Sequence, residues 1–158
     1  MSKLAVRLLR VALLVLLLVS VLVQVLVPVW ASREGTSFPE VAYLVVPYSV
    51  AAILFIGCGQ VVLLAVWRLL SFIGDEVIFT RRAVRWVDVI IACAAVATAL
   101  TATVLVHMLG FLPGGGGPTV YLLAVTIAGG VTFVLFMVVM RGLLVSAAVD
   151  RTELDGVI

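Results

Sequence analysis

The chain has 158 residues, of which 65% are hydrophobic and only 11% are charged, and its formal net charge is +2. A soluble domain is about half apolar and about a quarter charged, so a mean hydropathy of +1.39 excludes an ordinary water-soluble protein. No fold of this size hides so much apolar surface from water, and the composition therefore indicates a protein that lives in a lipid bilayer.

Four continuous apolar stretches predict four membrane-spanning helices. They cover residues 11–30, 41–67, 89–110 and 119–140. Each provides the roughly 20 residues that a helix needs to cross a hydrocarbon core of about 30 Å. The runs lack the period-two alternation of a transmembrane strand, and backbone groups in lipid must pair within their own segment. We therefore expect an all-α integral membrane four-helix bundle, with residues 1–158 as a single domain.

The first stretch also resembles a signal peptide. It has a basic start, an apolar run and then Val29-Trp30-Ala31 as a candidate cleavage site. The apolar run is longer than the roughly 7–15 residues usual in a signal peptide. We therefore expect the first stretch to be an uncleaved transmembrane helix.

The basic residues sort by segment, and this sorting predicts the orientation. Nine of the ten lie before the first span, in the middle loop 68–88 or in the tail 141–158. Only Arg33 lies in the first hairpin loop. The positive-inside rule therefore places both termini and the middle loop in the cytoplasm. Aromatic residues that favour the membrane interface fall near the predicted span ends: Trp30, Tyr43, Tyr48, Trp67, Trp86 and Tyr121.

The membrane interior is almost free of charge. Residues 41–67 and 89–140 contain no Asp, Glu, Lys or Arg. Ion carriers usually hold an ionisable group at membrane depth, so the absence argues against a transporter. The strongest polar candidates are Gln24 and His107, expected toward the outer side, and Gln60, expected toward the inner side. Hydrogen bonding between helices is the simpler interpretation of each, and a ligand or substrate role is the alternative.

Small residues recur at four-residue spacing on the third and fourth spans. They are Ala94, Thr98 and Ala102 on one, and Thr126 and Gly130 on the other. Such faces let helix backbones approach closely in lipid. They predict a compact bundle and are also suited to a homo-oligomer.

No residue pattern indicates catalysis, a metal or a cofactor. The chain has one histidine and two cysteines, Cys58 and Cys93, both inside apolar runs. Nucleophile and acid–base constellations are absent from the sequence, so we expect no enzyme. The glycine run 114–117 lacks the Lys-Ser/Thr ending of a phosphate-binding loop and is expected to be a plain turn.

Two predicted cytoplasmic segments carry candidate docking residues. The third helix is expected to begin near Arg81, and the tail is expected to continue the fourth helix. The simpler interpretation is that the arginines set topology and contact lipid headgroups, while the tail folds back on them. The sharper interpretation is a docking surface for a soluble partner. The candidates are Arg81, Arg82, Arg85, Asp150, Glu153, Leu154, Asp155, Val157 and Ile158.

The same two segments carry a family resemblance. The middle loop reads Gly74-Asp-Glu-Val-Ile-Phe-Thr-Arg-Arg-Ala-Val-Arg, similar to a Gly-x-x-Phe-Ser/Thr pattern followed by a basic helix start. The chain ends Glu153-Leu-Asp-Gly-Val-Ile158, similar to Glu/Asp-Leu/Met-Asp-Glu-Val-Ile. With four spans, the chain resembles the bacterial "domain of unknown function 2975" membrane proteins. It departs from that pattern at Gly156 and by one extra residue before Phe79.

The resemblance implies a multi-pass protein of the bacterial inner (cytoplasmic) membrane without enzyme activity. Members are often encoded beside a small helix-turn-helix regulator, which implies a membrane partner that holds or controls a DNA-binding protein. Direct contact with nucleic acid is not expected, because topology accounts for the basic residues.

Two alternatives stay open. One is a small transporter or an immunity-type membrane protein, and the other is an accessory subunit of a larger membrane complex. A transporter would need a polar cavity, for which the available lining residues are Gln24, Gln60, Thr98, Thr101 and His107.

Overall fold

The computed structural model describes residues 3–37, 42–74, 81–111 and 117–155. Every residue in these ranges except Gly117 is α-helical. The helices are α1 (Lys3–Ser37), α2 (Ala42–Gly74), α3 (Arg81–Phe111) and α4 (Pro118–Asp155). All four are long and apolar enough to cross a membrane. The predicted all-α, four-span class is confirmed.

Each helix extends beyond the apolar stretch that predicted it. The four contain 35, 33, 31 and 38 residues. At 1.5 Å per residue they measure about 46–57 Å, against a hydrocarbon core of about 30 Å. They must therefore tilt or project into the headgroup region and beyond. Much of the predicted middle loop 68–88 is accordingly helical, since α2 ends at Gly74 and α3 begins at Arg81 as expected.

A tight turn leads into α4. Gly117 has a φ of 51°, a left-handed conformation that glycine adopts without steric cost. Its carbonyl accepts a hydrogen bond of 3.2 Å from the backbone N–H of Val120. Pro118 follows as the first helical residue, where a missing N–H costs nothing.

The helices pack in chain order as antiparallel neighbours. α1 contacts α2, α2 contacts α3, and α3 contacts α4. Among the described residues, no Cα atom of α1 lies within 8 Å of one in α4. The bundle is therefore open on the side where these two helices would have closed it. The start of α1, the end of α2, the start of α3 and the end of α4 lie together at what we name the terminal end. The other end is named the hairpin end.

Little of the apolar surface is buried within the chain. The buried apolar side chains among the described residues are Leu13, Leu44, Ala65, Leu70, Val87 and Ile90. Large apolar side chains such as Leu18, Val125 and Leu135 are exposed along the helices. This distribution suits lipid, which solvates leucine as well as a protein core does, so close packing and hydrogen bonds must hold the helices together.

α3 packs tightly against α4 at the small residues. A Cβ atom built on Gly130 would lie 3.2 Å from Thr98 Cβ and closer still to Thr98 Oγ1. A side chain at position 130 would require Thr98 to rotate or the helices to move apart. The Thr98 hydroxyl donates to the carbonyl of Ala94 at 2.8 Å, which fixes its rotamer. Thr98 and Gly130, which belong to the small-residue faces predicted for these two spans, are thus in contact.

Candidate functional site

The two glutamines of the spans form one hydrogen-bonded unit between α1 and α2. Gln60 Nε2 donates to Gln24 Oε1 at 2.8 Å, and Gln24 Nε2 donates to the carbonyl of Ile53 at 3.4 Å. Side chains on a helix lean toward its N-terminus, so on antiparallel helices these two lean toward each other. That lean joins residues that were expected on opposite sides of the membrane. The interpretation as an interhelical hydrogen bond is confirmed.

The histidine pairs with a tyrosine across α2 and α3. Tyr48 Oη and His107 Nδ1 lie 2.9 Å apart. Their rings meet edge to face, with centroids 5.8 Å apart and an interplanar angle of 88°. Both residues lie in the half of the bundle nearest the hairpin end, as expected for His107. The contact ties α2 to α3 there.

The terminal end carries two further contacts between neighbouring helices. Arg141 of α4 forms an ion pair with Asp88 of α3, in which Nε meets one carboxylate oxygen and a terminal nitrogen lies 3.4 Å from the other. The two side chains are 42% and 47% exposed. The Arg68 guanidinium of α2 lies 5.9 Å from the ring centroid of Trp86 on α3. These contacts fix α2, α3 and α4 to one another where they leave the predicted hydrocarbon core.

The predicted docking residues lie on the elements that were expected. Arg81 and Arg82 open α3, and Arg85 is exposed one turn later. The tail continues α4 as a helix, which carries Asp150, Glu153, Leu154 and Asp155. Val157 and Ile158 lie outside the described residues, as do the side chains of the other predicted tail residues and of Arg81 and Arg82. A contact between the tail and the arginines stays a prediction.

A lipid-exposed groove lies between α2 and α4, with α3 as its floor. Its cavity volume is ≈ 340 Å³. The lining residues are Tyr48, Ala51, Ala52, Phe55, Ile56, Leu100, Thr101, Val104, Leu122, Leu123 and Thr126.

The groove has no polar group left without a partner. The Thr101 hydroxyl donates to the carbonyl of Ala97 at 2.9 Å, and that of Thr126 donates to Leu122 at 2.8 Å. The third lining hydroxyl belongs to Tyr48 and pairs with His107. Of the five residues expected to line a transport cavity, Thr101 alone lines this one. The groove is suited to an apolar occupant and not to a hydrated ion.

No metal centre forms within the part of the chain that the structure describes. No three His, Cys, Asp or Glu side chains come together there. Cys58 and Cys93 are free thiols on adjacent helices. The described residues thus offer hydrogen-bonded pairs, an ion pair and an apolar groove.

Two residues of these contacts were missed from sequence. Tyr48 was interpreted as an interface aromatic, and Asp88 was assigned to the middle loop without a partner. The sequence did contain a signal for the ion pair of Asp88, because Asp88 directly precedes the third span and Arg141 directly follows the fourth. Opposite charges at one boundary of antiparallel neighbours are placed to pair. Nothing in the sequence alone fixes the helix rotation that brings Tyr48 to His107.

Comparison with known proteins identifies the family of the chain. No curated protein and no solved structure matches the chain. Residues 29–158 match the family described as "Protein of unknown function (DUF2975)". The match covers α2, α3 and α4 completely and the end of α1. The chain therefore belongs to the DUF2975 family.

Proposed function

We propose that this protein is a non-enzymatic integral membrane interaction protein whose terminal end docks a small soluble helix-turn-helix DNA-binding protein. The observation that carries the proposal is the length of α4, which stays helical to Asp155. From Arg141 to Asp155 the helix rises about 21 Å, well beyond the ion pair with Asp88. A helix of that length outside the hydrocarbon core offers a surface that membrane crossing does not require.

The composition of the extension supports docking to a soluble protein. Its last turns carry three acidic residues and an apolar one. They are Asp150, Glu153, Asp155 and Leu154. Such a helix suits a groove on a partner with basic rims. Arg85, exposed at the start of α3, would add a group of opposite charge.

The contacts at the terminal end support a fixed platform. The Asp88–Arg141 ion pair joins α3 to α4, and the Arg68–Trp86 contact joins α2 to α3. Three helices are therefore held in register below the extension. A fixed platform lowers the entropy that a docking surface loses on binding.

The interior supports an interaction role over transport. Gln24 and Gln60 satisfy each other, and Tyr48 pairs with His107. The groove between α2 and α4 is apolar. Polar groups that would guide an ion or a polar solute are thus already engaged with the protein. The partner class itself comes from the family resemblance, and the cytoplasmic placement of the terminal end comes from the positive-inside rule.

The test is affinity capture of the full chain, carrying an N-terminal tag, from membranes of its own bacterium in mild detergent. We expect mass spectrometry to identify a small helix-turn-helix protein. Deletion of residues 150–158 should abolish its recovery. Arg7→Gln is the control, because Arg7 is exposed at the same end but on α1, which makes no contact with α4 among the described residues. Recovery that survives the deletion, or the absence of any such protein, would refute the docking proposal.

A further inference from the structure

We propose that the groove between α2 and α4 binds one acyl chain of a phospholipid from the leaflet at the hairpin end. This goes beyond the docking of a soluble protein at the other end of the molecule. It rests on the position, lining and polar mouth of the groove.

The position of the groove matches the path of an acyl chain. On α2 the lining residues run from Tyr48 to Ile56, a rise of about 12 Å. Tyr48 lies two turns from the start of α2, and Ile56 lies near the middle of its apolar window. The groove therefore runs from the interface at the hairpin end to the centre of the bilayer, which is the span of one leaflet.

The size and apolar lining of the groove favour a flexible hydrocarbon chain as its occupant. Ala51 and Ala52 leave space on α2, and Leu100 and Val104 form the floor on α3. A volume of ≈ 340 Å³ lies within the range of small-molecule sites, which are mainly apolar and carry few polar groups. The hydroxyls of Thr101 and Thr126 bond to their own helices, so the walls present methyl and methylene groups to the occupant.

The polar end of the groove suits an amphiphile with a headgroup at the interface. Tyr48 lines the groove and forms the 2.9 Å hydrogen bond with His107. Tyr121, one residue before the lining residue Leu122, is 76% exposed at the same end. Tyrosines favour the headgroup level of a bilayer. A phospholipid placed with its headgroup beside these rings would send one chain down the groove.

The fixed contact below the groove keeps it open. Gly130 packs against Thr98 one turn deeper than Thr126. The helices α3 and α4 therefore meet closely beneath the groove, while Leu122 and Thr126 line its wall above. The Gly130–Thr98 contact therefore sets the position of α4 and, with it, the width of the groove.

The test uses phosphatidylethanolamine with a diazirine on one acyl chain, in vesicles that contain the purified full chain. After irradiation we expect crosslinks to concentrate on residues 48–56 and 122–126. Ala52→Phe places a ring in the groove, and we expect loss of most of those crosslinks. Ala124→Phe is the matched control, because Ala124 is exposed on α4 outside the lining. It should leave the crosslinks unchanged.

Circular dichroism and gel filtration of both variants establish that they remain folded. Ala51→Leu is a smaller filler that keeps the test valid if Ala52→Phe disrupts the bundle. Wild-type crosslinks that are spread evenly over the exposed surface would overturn the proposal, as would crosslinks that survive both fillers. A wild-type dimer that either filler dissociates would assign the groove to a second copy of the chain and equally overturn it.

Discussion

Gln60 Nε2 donates a 2.8 Å hydrogen bond to Gln24 Oε1, and this bond joins α1 to α2 inside the predicted hydrocarbon core. An amide group exposed to lipid without a partner is costly, because no water is present to satisfy it. Each glutamine therefore makes the other tolerable in an apolar helix. Since α1 touches no other helix among the described residues, the pair is a specific determinant of how α1 joins the bundle.

Replacement of either glutamine should loosen α1 from α2. Hydrogen bonds between transmembrane helices contribute about 0.6 kcal/mol on average and up to about 1.7 kcal/mol. We expect Gln60→Leu to lower the free energy of unfolding within that range, as measured by denaturation in mixed micelles of mild detergent and dodecyl sulfate. The double variant Gln24→Leu/Gln60→Leu should cost little more than Gln24→Leu alone, because Gln24→Leu already removes the bond to Gln60 together with the bond to Ile53.

The control for this pair is Thr132→Val. The Thr132 hydroxyl is exposed and bonds only to the carbonyl of Ala128 on its own helix. We expect Thr132→Val to leave the free energy of unfolding unchanged. Full additivity of the two glutamine changes would show that the side chains act independently.

The second prediction concerns the close approach of α3 and α4. Gly130→Ala introduces a methyl group against Thr98, so either the Thr98 side chain must rotate out of its hydrogen bond to Ala94 or the helices must move apart. Overpacking of this kind costs about 1–3 kcal/mol. Gly129→Ala is a control of identical chemistry one residue away, where a Cβ atom meets nothing within 4 Å. We expect the first variant to lower the unfolding free energy and the second to leave it unchanged.

A rescue variant makes the prediction specific. Thr98→Ala removes the two atoms of the side chain beyond Cβ, and in the Gly130→Ala background it should restore part of the lost stability. Equal stability of Gly130→Ala and Gly129→Ala would contradict the close approach.

The sequence predicted the helices better than their contacts. Composition identified all four spans, and the expected start of the third helix near Arg81 is confirmed. These features are local, because they depend on continuous hydrophobicity and on turn chemistry within a few residues. The small-residue spacing anticipated the contact between Thr98 and Gly130, and the polar side chains within the spans anticipated hydrogen bonding between helices, which Gln24 and Gln60 form.

Which residues pair across the helices depends on the rotation of each helix and on the depth of the two residues in the bilayer, and the sequence did not predict these pairs. Gln60 was expected on the inner side and Gln24 on the outer side, but the lean of two long side chains spans that difference. The pairing of Tyr48 with His107 requires α2 and α3 to present those faces to each other. The sequence of a membrane-spanning helix does not show which face points into the bundle, because the lipid-facing side is as apolar as the inward side. The rotation of α2 and α3 could therefore not be predicted. The docking residues of the tail stay a prediction.

The third prediction tests the ion pair at the terminal end. Arg141→Gln leaves Asp88 without its guanidinium partner. Because both side chains are nearly half exposed and solvent screens the pair, we expect only a small loss in the unfolding free energy. The exchanged pair Asp88→Arg/Arg141→Asp should recover part of the loss. Arg7→Gln, which removes the same charge from an exposed position on α1, is the control and should leave stability unchanged.

High salt offers an independent check on the same pair. Screening weakens exposed ion pairs, so the stability difference between wild type and Arg141→Gln should shrink as ionic strength rises. A difference that is insensitive to salt would mean that packing of the Arg141 methylenes, and not its charge, joins α4 to α3.

The fourth prediction is the orientation of the bundle, on which the docking proposal depends. Thr119 is exposed at the hairpin end and Ser146 is exposed toward the terminal end. In a Cys58→Ala/Cys93→Ala background, a membrane-impermeant maleimide added to intact cells should label Thr119→Cys and spare Ser146→Cys. Permeabilised cells should label both. The positive-inside rule gives this direction because nine basic residues flank the predicted apolar spans at the terminal end. Labelling of Ser146→Cys in intact cells would reverse the topology, and a cytoplasmic DNA-binding protein could then not reach the α4 extension.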